Sequence, residues 1–163
     1  VVISSFDLAG NMDLSPKGDP PGFVKILDNT TLAIPDRPGN RRLDTLNNLL
    51  QQPQVGLMFI VPGRGEVLRV SGTGQIVTDP DLLSTMAVVE RPPRLALVVT
   101  IDEIMFHCGK SVIRSKLWSP SEWPDIQGLA SYAECLGDQT TSDETVTQME
   151  ARFASWRDGN ELY

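Results

Sequence analysis

The chain has 163 residues, a formal net charge of −7 and 40% hydrophobic residues. This length suits one domain with a hydrophobic core, and the composition excludes disordered, collagen-like and coiled-coil proteins. The longest apolar runs, 55–61 and 95–101, are far shorter than the ~20 residues of a membrane-spanning helix, so we expect no integral membrane protein.

The first third of the chain predicts two β-hairpins. Strands are predicted over 1–6 and 12–15, and again over 23–27 and 31–34, with turn residues inside each pair. A loop rich in proline and glycine, residues 16–22, separates the hairpins. Asn40 is predicted to cap a short amphipathic helix over 43–50, which Pro53 prevents from continuing.

The rest of the chain predicts long strands and short helices. Buried or alternating strands are predicted over 55–61, 67–78 and 95–106. Helices are predicted to start at 79–81, to span 109–118, and to span 142–156, the last opened by Thr141 or Ser142 and closed by Gly159. Consecutive hairpins with short helices favour a mainly β, closed antiparallel barrel over a doubly wound parallel sheet.

The net negative charge of the chain comes from its C-terminal third. Residues 1–118 hold 12 acidic and 12 basic residues, whereas 119–163 hold 9 acidic and 2 basic ones. We therefore predict a body at 1–118 and an acidic helical extension at 119–163. A balanced body with an acidic end argues against binding of nucleic acid, whose affinity comes mostly from cations that neutralise phosphates.

The few cysteine and histidine residues limit the kinds of functional site that the chain can form. With only Cys108 and Cys135, no CxxC pair and no signal-peptide segment, we expect a reducing cytoplasm and no metal cluster. The familiar catalytic motifs are missing from the sequence, so the catalytic residues stay unknown. His107 is the single histidine, and its neighbour Cys108 faces the other side of a strand, which favours a packed histidine over a catalytic dyad.

A first candidate site lies before the helix predicted over 43–50, at Arg37, Asn40, Arg41 and Arg42. A helix N-terminus carries partial positive charge and unpaired N–H groups, so arginines there are unfavourable unless an anion is bound. A phosphate suits this arrangement, because N–H groups and arginine forks converge on it. The alternative is that Asp36 and Asp44 neutralise solvated arginines.

Two further clusters are candidates. Lys110, Arg114 and Trp118 have the spacing i, i+4 and i+8, which places them on one face of the helix predicted over 109–118. That stripe suits an anionic or aromatic partner, or else it is a solvated basic face with Trp118 as a core anchor. Ser15 and Lys17, at a strand end, form a weaker candidate, because a lone loop lysine is usually only solvated.

Three separated runs resemble one known family. They are 15–24 (SPKGDPPGFV), 34–42 (IPDRPGNRR) and 107–118 (HCGKSVIRSKLW). Together they are similar to the pyridoxamine 5′-phosphate oxidase-related flavoproteins, and more narrowly to their class of FMN-dependent enzymes. The resemblance covers about residues 1–120 and implies a six-stranded split β-barrel homodimer that binds FMN at the subunit interface.

The resemblance also implies roles for the candidate residues. It implies that the FMN phosphate lies on Arg37, Asn40, Arg41 and Arg42, since residues 43–45 (LDT) stand where better-known relatives have Ser-Arg-Lys. The chain ends in Glu-Leu-Tyr and lacks the Arg-Leu-x-Pro-like ending of true pyridoxamine phosphate oxidases, so vitamin B6 oxidation is not expected.

The resulting expectation is a cytoplasmic, homodimeric FMN-dependent oxidoreductase that acts on an unidentified small molecule. We expect Ser15 and Lys17 to approach the flavin ring or its ribityl chain. We expect Lys110, Arg114 and Trp118 of one subunit to face the FMN of the other. The alternatives are a non-catalytic flavin carrier, or the same barrel with another flavin-like cofactor or haem.

Overall fold

The computed structural model describes residues 1–40 and 42–159. The chain divides into two compact units, 1–120 and 121–163. The first unit contains seven strands, which are β1 Val2–Phe6, β2 Met12–Pro16, β3 Lys25–Asp28, β4 Thr31–Pro35, β5 Gln54–Ile60, β6 Val67–Val77 and β7 Ala96–His107. Its helices are α1 Asp44–Gln51, α2 Pro80–Ser84 and α3 Lys110–Arg114, and a 3-10 turn follows at Pro120–Glu122.

The strands form one antiparallel sheet in the order β2-β1-β5-β6-β7-β4-β3. Every strand segment predicted from the sequence forms, so the mainly β assignment is confirmed. The six-stranded closed barrel is wrong, because the sheet has seven strands and is not closed. The physical reason is that each terminal hairpin places a short strand at an edge, where β2 and β3 each have a ladder on one side only within the described residues.

The sheet curls around α1. Ile3 on β1 and Ile34 on β4 belong to one buried cluster although three strands separate them in the sheet. Leu49 of α1 is buried in the same cluster. The helix approaches β6 so closely that a Cβ placed on Gly74 would lie 2.8 Å from Cδ2 of Leu49. The curled face with α1 therefore forms the core of this unit.

A register shift bends the two longest strands. It falls between Ser71 and Gly72 of β6, where a Cβ on Gly72 would meet the carbonyl oxygen of Thr100 on β7. Beyond the bend, residues 102–107 of β7 are exposed, with Ile104 at 57% and Phe106 at 73% exposure. One end of β7 thus presents apolar side chains outside the core.

The predicted helix over 109–118 is shorter than expected. α3 ends at Arg114, and Lys116 adopts a left-handed conformation with φ 56°. The N–H of Leu117 donates to the carbonyl of Val112, and that of Lys116 to the carbonyl of Ile113, which is the Schellman pattern of a helix C-terminus. The chain reverses there, so Trp118 does not continue the face of α3.

The second unit contains two capped helices. α4, Tyr132–Gln139, was not predicted and begins in a capping box between Ser131 and Glu134. α5, Val146–Arg157, is capped by Thr145 and not by Thr141 or Ser142. The predicted start was too early because Glu144 precedes the cap, where its carboxylate accepts two hydrogen bonds from Arg152.

Other predicted helix boundaries agree with the structure. Asp79 caps α2 by accepting a 2.8 Å hydrogen bond from the N–H of Leu82. Gly159 follows α5 with φ 85°, as expected for a helix C-terminus. Among the residues that the structure describes, none of the helices has the length and apolar character required to cross a bilayer.

Candidate functional site

A cleft opens between the loop after β2, the loop after β4 and the start of α1. Its floor is apolar and its rim is polar, because strand residues and loop residues meet there. The lining residues are Ile3, Lys17, Ile34, Pro35, Asp36, Thr45, Leu46, Leu49, Leu95 and Leu97. The cleft encloses about 10 Å³, which is room for about one water molecule.

Lys17 and Asp36 form an ion pair across this cleft. Nζ of Lys17 lies 3.0 Å from Oδ1 of Asp36, and the two side chains are 25% and 32% exposed. Both backbones are fixed, since the N–H of Lys17 donates to the carbonyl of Val1 and that of Asp36 to the carbonyl of Leu95. The ammonium group of Lys17 is therefore held at the rim with a carboxylate beside it.

Ser15 lies on the same side of the sheet as this rim. It is the register partner of Ile3, whose side chain lines the cleft. Paired residues in an antiparallel ladder point to the same face, as do residues two apart in a strand. Ser15 and Lys17 therefore follow one another on the cleft side of the chain.

The structure places Arg37 elsewhere than the sequence predicts. Its Nε lies 2.6 Å from Oδ2 of Asp19, and the two side chains are only 13% and 2% exposed. Its other nitrogens donate to the carbonyl oxygens of Met86 and Arg91. The guanidinium of Arg37 thus has a buried carboxylate and two backbone carbonyls as partners.

Arg42 and Asn40 lie before α1 in an exposed turn. Nε of Arg42 lies 2.6 Å from Oδ2 of Asp44, and the hydrogen bond and charge of Asp44 raise the pKa of Arg42 above its ordinary value. Oδ1 of Asn40 accepts a 3.0 Å hydrogen bond from the N–H of Arg42. Asn40 is therefore not the helix cap as predicted. Arg41 lies outside the described residues.

The cap position of α1 is occupied by Leu43. An alkyl side chain has no acceptor for the N–H groups of the first helical turn. Asn40 cannot take that place, because its side chain already closes a local turn two residues further on. The start of α1 therefore combines the partial positive charge of a helix N-terminus with the exposed guanidinium of Arg42.

Two polar contacts that the sequence analysis missed hold α1 on the sheet. Oγ1 of Thr45 donates to Oδ2 of Asp13 at 2.6 Å. Nδ2 of Asn48 donates to Oγ of Ser5 at 3.1 Å in a buried setting. No sequence signal marked these residues, because threonine, asparagine and serine in amphipathic segments are most often solvated. These contacts fix the start of α1 relative to β1 and β2.

The predicted cluster of Lys110, Arg114 and Trp118 lies at another place on the first unit. Nε1 of Trp118 donates to the carbonyl of Arg64 at 2.7 Å. A Cβ on Gly109 would meet the backbone of Gly65, so both ends of segment 109–118 rest on the turn between β5 and β6. Lys110 and Arg114 are exposed there. Within one subunit, Ser15 and Lys17 lie on the cleft side of the sheet and Arg42 lies before α1, whose first turn lines the cleft, whereas Trp118 lies at the turn between β5 and β6 with Lys110 and Arg114 exposed nearby in the same segment.

Comparison with solved structures finds the same fold in proteins of low sequence identity. HupZ of Group A Streptococcus matches with TM-score 0.51 and 15% identity over 64% of this chain and 82% of that chain. An FMN-binding protein from Syntrophomonas wolfei subsp. wolfei matches with TM-score 0.50 and 12% identity over 64% and 74% of the two chains. No curated protein sequence matches the chain.

The sequence match to a family is more specific than these structural likenesses. The family described as pyridoxamine 5′-phosphate oxidase matches residues 1–108. That span contains all seven strands, α1 and every residue of the cleft. The chain therefore belongs to the pyridoxamine 5′-phosphate oxidase family, as the three sequence runs had indicated.

Proposed function

We propose that this protein is a homodimeric FMN-binding flavoprotein and an oxidoreductase that acts on a small molecule. The observation that carries the proposal is the position of Lys17 and the α1 N-terminus at one cleft of a chain from this family. The likeness to the FMN-binding protein of Syntrophomonas wolfei gives further support. The unpaired, exposed Cys108 and Cys135 are consistent with a reducing cytoplasm.

The donors at the start of α1, whose first turn lines the cleft, suit a phosphate monoester. Arg42 supplies an exposed guanidinium, and the first turn of α1 supplies N–H groups that Leu43 cannot cap. Arg41 is adjacent in sequence and belongs to the same proposed set. Since Asp44 already pairs with Arg42, a phosphate must share that guanidinium or displace the carboxylate. Arg37 has buried partners of its own, so we assign the phosphate to Arg41, Arg42, the segment at Asn40 and the helix N-terminus.

Ser15 and Lys17 are proposed to contact the flavin ring or its ribityl chain. When bound, FMN supplies the electron transfer, and the protein supplies position and electrostatics. The Lys17 ammonium stabilises negative charge on a nearby ring, while the carboxylate of Asp36, 3.0 Å away, offsets part of that effect. Replacing Lys17 with methionine is therefore expected to lower the reduction potential of the bound flavin.

A second subunit is proposed to complete the site. The cleft encloses about 10 Å³, whereas pockets for ligands of this size are about 300–1,000 Å³. We therefore propose that the flavin ring lies at the mouth of the cleft, against a surface that a second subunit supplies. Lys110, Arg114 and Trp118 are exposed, and Ile104 and Phe106 leave apolar area uncovered nearby on β7. A two-fold dimer would present this patch of each subunit to the cofactor of the other.

The first test is the ligand itself. The purified protein is expected to be yellow, with the absorption bands of oxidised flavin, and to release FMN on denaturation. In titrations of the flavin-free protein, Arg42→Ala is expected to weaken FMN about ten- to a hundredfold and riboflavin little, because only FMN carries the phosphate. Arg94→Ala, at an exposed arginine, is the matched control. Equal affinities of the wild type for FMN and riboflavin would overturn the phosphate assignment.

Two further measurements test catalysis and assembly. Bleaching of the flavin by NADH or NADPH is the result expected of an oxidoreductase, whereas stable FMN binding without reduction by either donor would favour the carrier. Ultracentrifugation over a dilution series, with absorbance of the flavin followed, tests the shared site. Flavin is expected to dissociate as the dimer does, and a monomer that keeps FMN at full affinity would refute the completion of the site by a second subunit.

A further inference from the structure

We propose that Arg37 is a positioning residue, which acts on the cofactor site through the loop 16–22 and is not a ligand of the phosphate. The inference rests on the proposed function, because it concerns how the same cleft is shaped. It replaces the role that the sequence predicts for this arginine with one that follows from its partners.

The ion pair between Arg37 and Asp19 is buried. The carboxylate of Asp19 is 2% exposed and lies 2.6 Å from Nε of Arg37, which is itself 13% exposed. A buried carboxylate needs such a partner, since an uncompensated charge in the interior is strongly destabilising. A phosphate reaching Arg37 would have to approach this carboxylate, which would repel it.

The pair holds the loop 16–22 through Asp19. Within loop 16–22, the proline and glycine residues at 16, 18 and 20–22 are exposed and have no polar side-chain group. Asp19 is the buried anchor of this loop, and it lies two residues after Lys17, whose ammonium lines the cleft. The backbone of Lys17 is held by hydrogen bonds to Val1, and the pair between Asp19 and Arg37 holds the loop that follows it.

The two ion pairs are arranged side by side. One loop carries Lys17 and Asp19, and the other carries Asp36 and Arg37, so each loop contributes one cation and one anion. Asp36 and Arg37 are adjacent in sequence, which means that a change at Arg37 is transmitted directly to the partner of Lys17. The pair between Asp19 and Arg37 thus fixes the two loops relative to one another.

The guanidinium of Arg37 also reaches a third segment, residues 86–91. Arg37 also donates to the carbonyls of Met86 and Arg91. These carbonyls flank a tight turn in which Val89 and Glu90 have φ of 49° and 60°, a conformation that is strained for a β-branched residue. The same segment leads to Leu95, which lines the cleft. One guanidinium therefore fastens three segments around the site.

A direct ligand and a positioning residue give opposite results for two variants. If Arg37 bound the phosphate, Arg37→Gln would weaken FMN but not riboflavin, and Asp19→Asn would strengthen FMN by removing a repelling carboxylate. If Arg37 positions the loops, both variants weaken FMN and riboflavin by the same factor. The ratio of the two affinities therefore separates the roles.

The experiment measures FMN and riboflavin affinities of the flavin-free full chain by fluorescence titration. We expect Arg37→Gln and Asp19→Asn each to weaken both ligands about tenfold with an unchanged ratio, and Arg94→Gln, an exposed arginine near the same segment, to change neither. Arg37→Lys keeps the positive charge but not the forked guanidinium, so its flavin affinities are expected to lie between those of the wild type and those of Arg37→Gln. A variant that loses FMN selectively, or an Asp19→Asn protein that binds FMN more tightly, would overturn the proposal.

Hydrogen exchange separates this proposal from the proposed function. In Asp19→Asn, amides of 16–22 and 86–95 are expected to exchange faster than in the wild type while those of the central strands β5 and β6 do not. If the wild type binds neither flavin, the proposed function fails and this measurement decides the positioning role alone. Unchanged exchange in both segments would refute the positioning role. The exchange of the central strands also reports whether each variant is folded.

Discussion

Gly72 is the position where one methyl group is expected to disturb the sheet most. Its ideal Cβ would meet the carbonyl oxygen of Thr100 and lie 3.2 Å from Cγ1 of Val99. The first of these atoms belongs to the backbone of β7, in the most extensive strand pairing of the molecule. A backbone atom cannot rotate away, so Gly72→Ala must separate β6 from β7 locally.

The loss of stability expected for Gly72→Ala can be compared with the losses expected at two other glycines. A Cβ on Gly74 would lie 2.8 Å and 2.9 Å from methyl groups of Leu49 and Leu97, which can change rotamer, whereas one on Gly56 would lie 3.6 Å from Cβ of Ser4, an ordinary contact. We therefore expect losses in the free energy of unfolding of about 3 kcal/mol or more for Gly72→Ala, about 1–2 kcal/mol for Gly74→Ala, and within about 0.5 kcal/mol for Gly56→Ala.

Urea unfolding followed by far-UV circular dichroism measures these differences, with thermal unfolding as a second measure. About 3 kcal/mol corresponds to a fall in Tm of roughly 6–12 °C for a chain of this size. An order in which Gly74→Ala is more damaging than Gly72→Ala would refute the reasoning from backbone contact. A near-neutral Gly72→Ala would show that the bend between the strands relaxes freely.

Three other predictions concern single polar contacts. Ser5→Ala and Asn48→Ala, which break the buried 3.1 Å hydrogen bond, are each expected to cost about 1–3 kcal/mol, and the double variant about 1 kcal/mol less than their sum, by urea unfolding; strict additivity would contradict a direct bond. Trp118→Phe, which removes the donor to the carbonyl of Arg64, is expected to cost about 1 kcal/mol in the same assay, and no loss would mean that water replaces the indole. The hydrogen bond from Arg152 holds the pKa of Glu144 below its ordinary value, so the stability contributed by this pair is present above that ordinary value and is lost as pH falls through the lowered pKa; the helical signal of Glu144→Gln is expected to depend less on acid than that of the wild type, and identical acid titrations would refute this.

The sequence by itself determined the strands of the first unit and the family. Strand patterns, turn residues and prolines act locally, so the hairpins, the long strands and the caps at Asp79 and Gly159 could be predicted without knowledge of the fold. Lys17 and Arg42 could be singled out as candidate site residues from the sequence, because both lie in loops whose composition is unusual, and their contact with a cofactor stays a prediction. The end of α3 was predicted too late, because Lys116 adopts a left-handed conformation although it is not a glycine.

Only the tertiary structure decided which charges meet. Asp19 and Arg37 are eighteen residues apart, and no periodicity relates them, yet the approach of two loops buries them together. The same approach gives Lys17 the carboxylate of Asp36 as a partner. Closure of the sheet was likewise undecided by local patterns, since it depends on whether edge strands from the two ends of the order meet. Long-range electrostatics and sheet curvature arise from packing, and packing depends on residues that are distant in sequence.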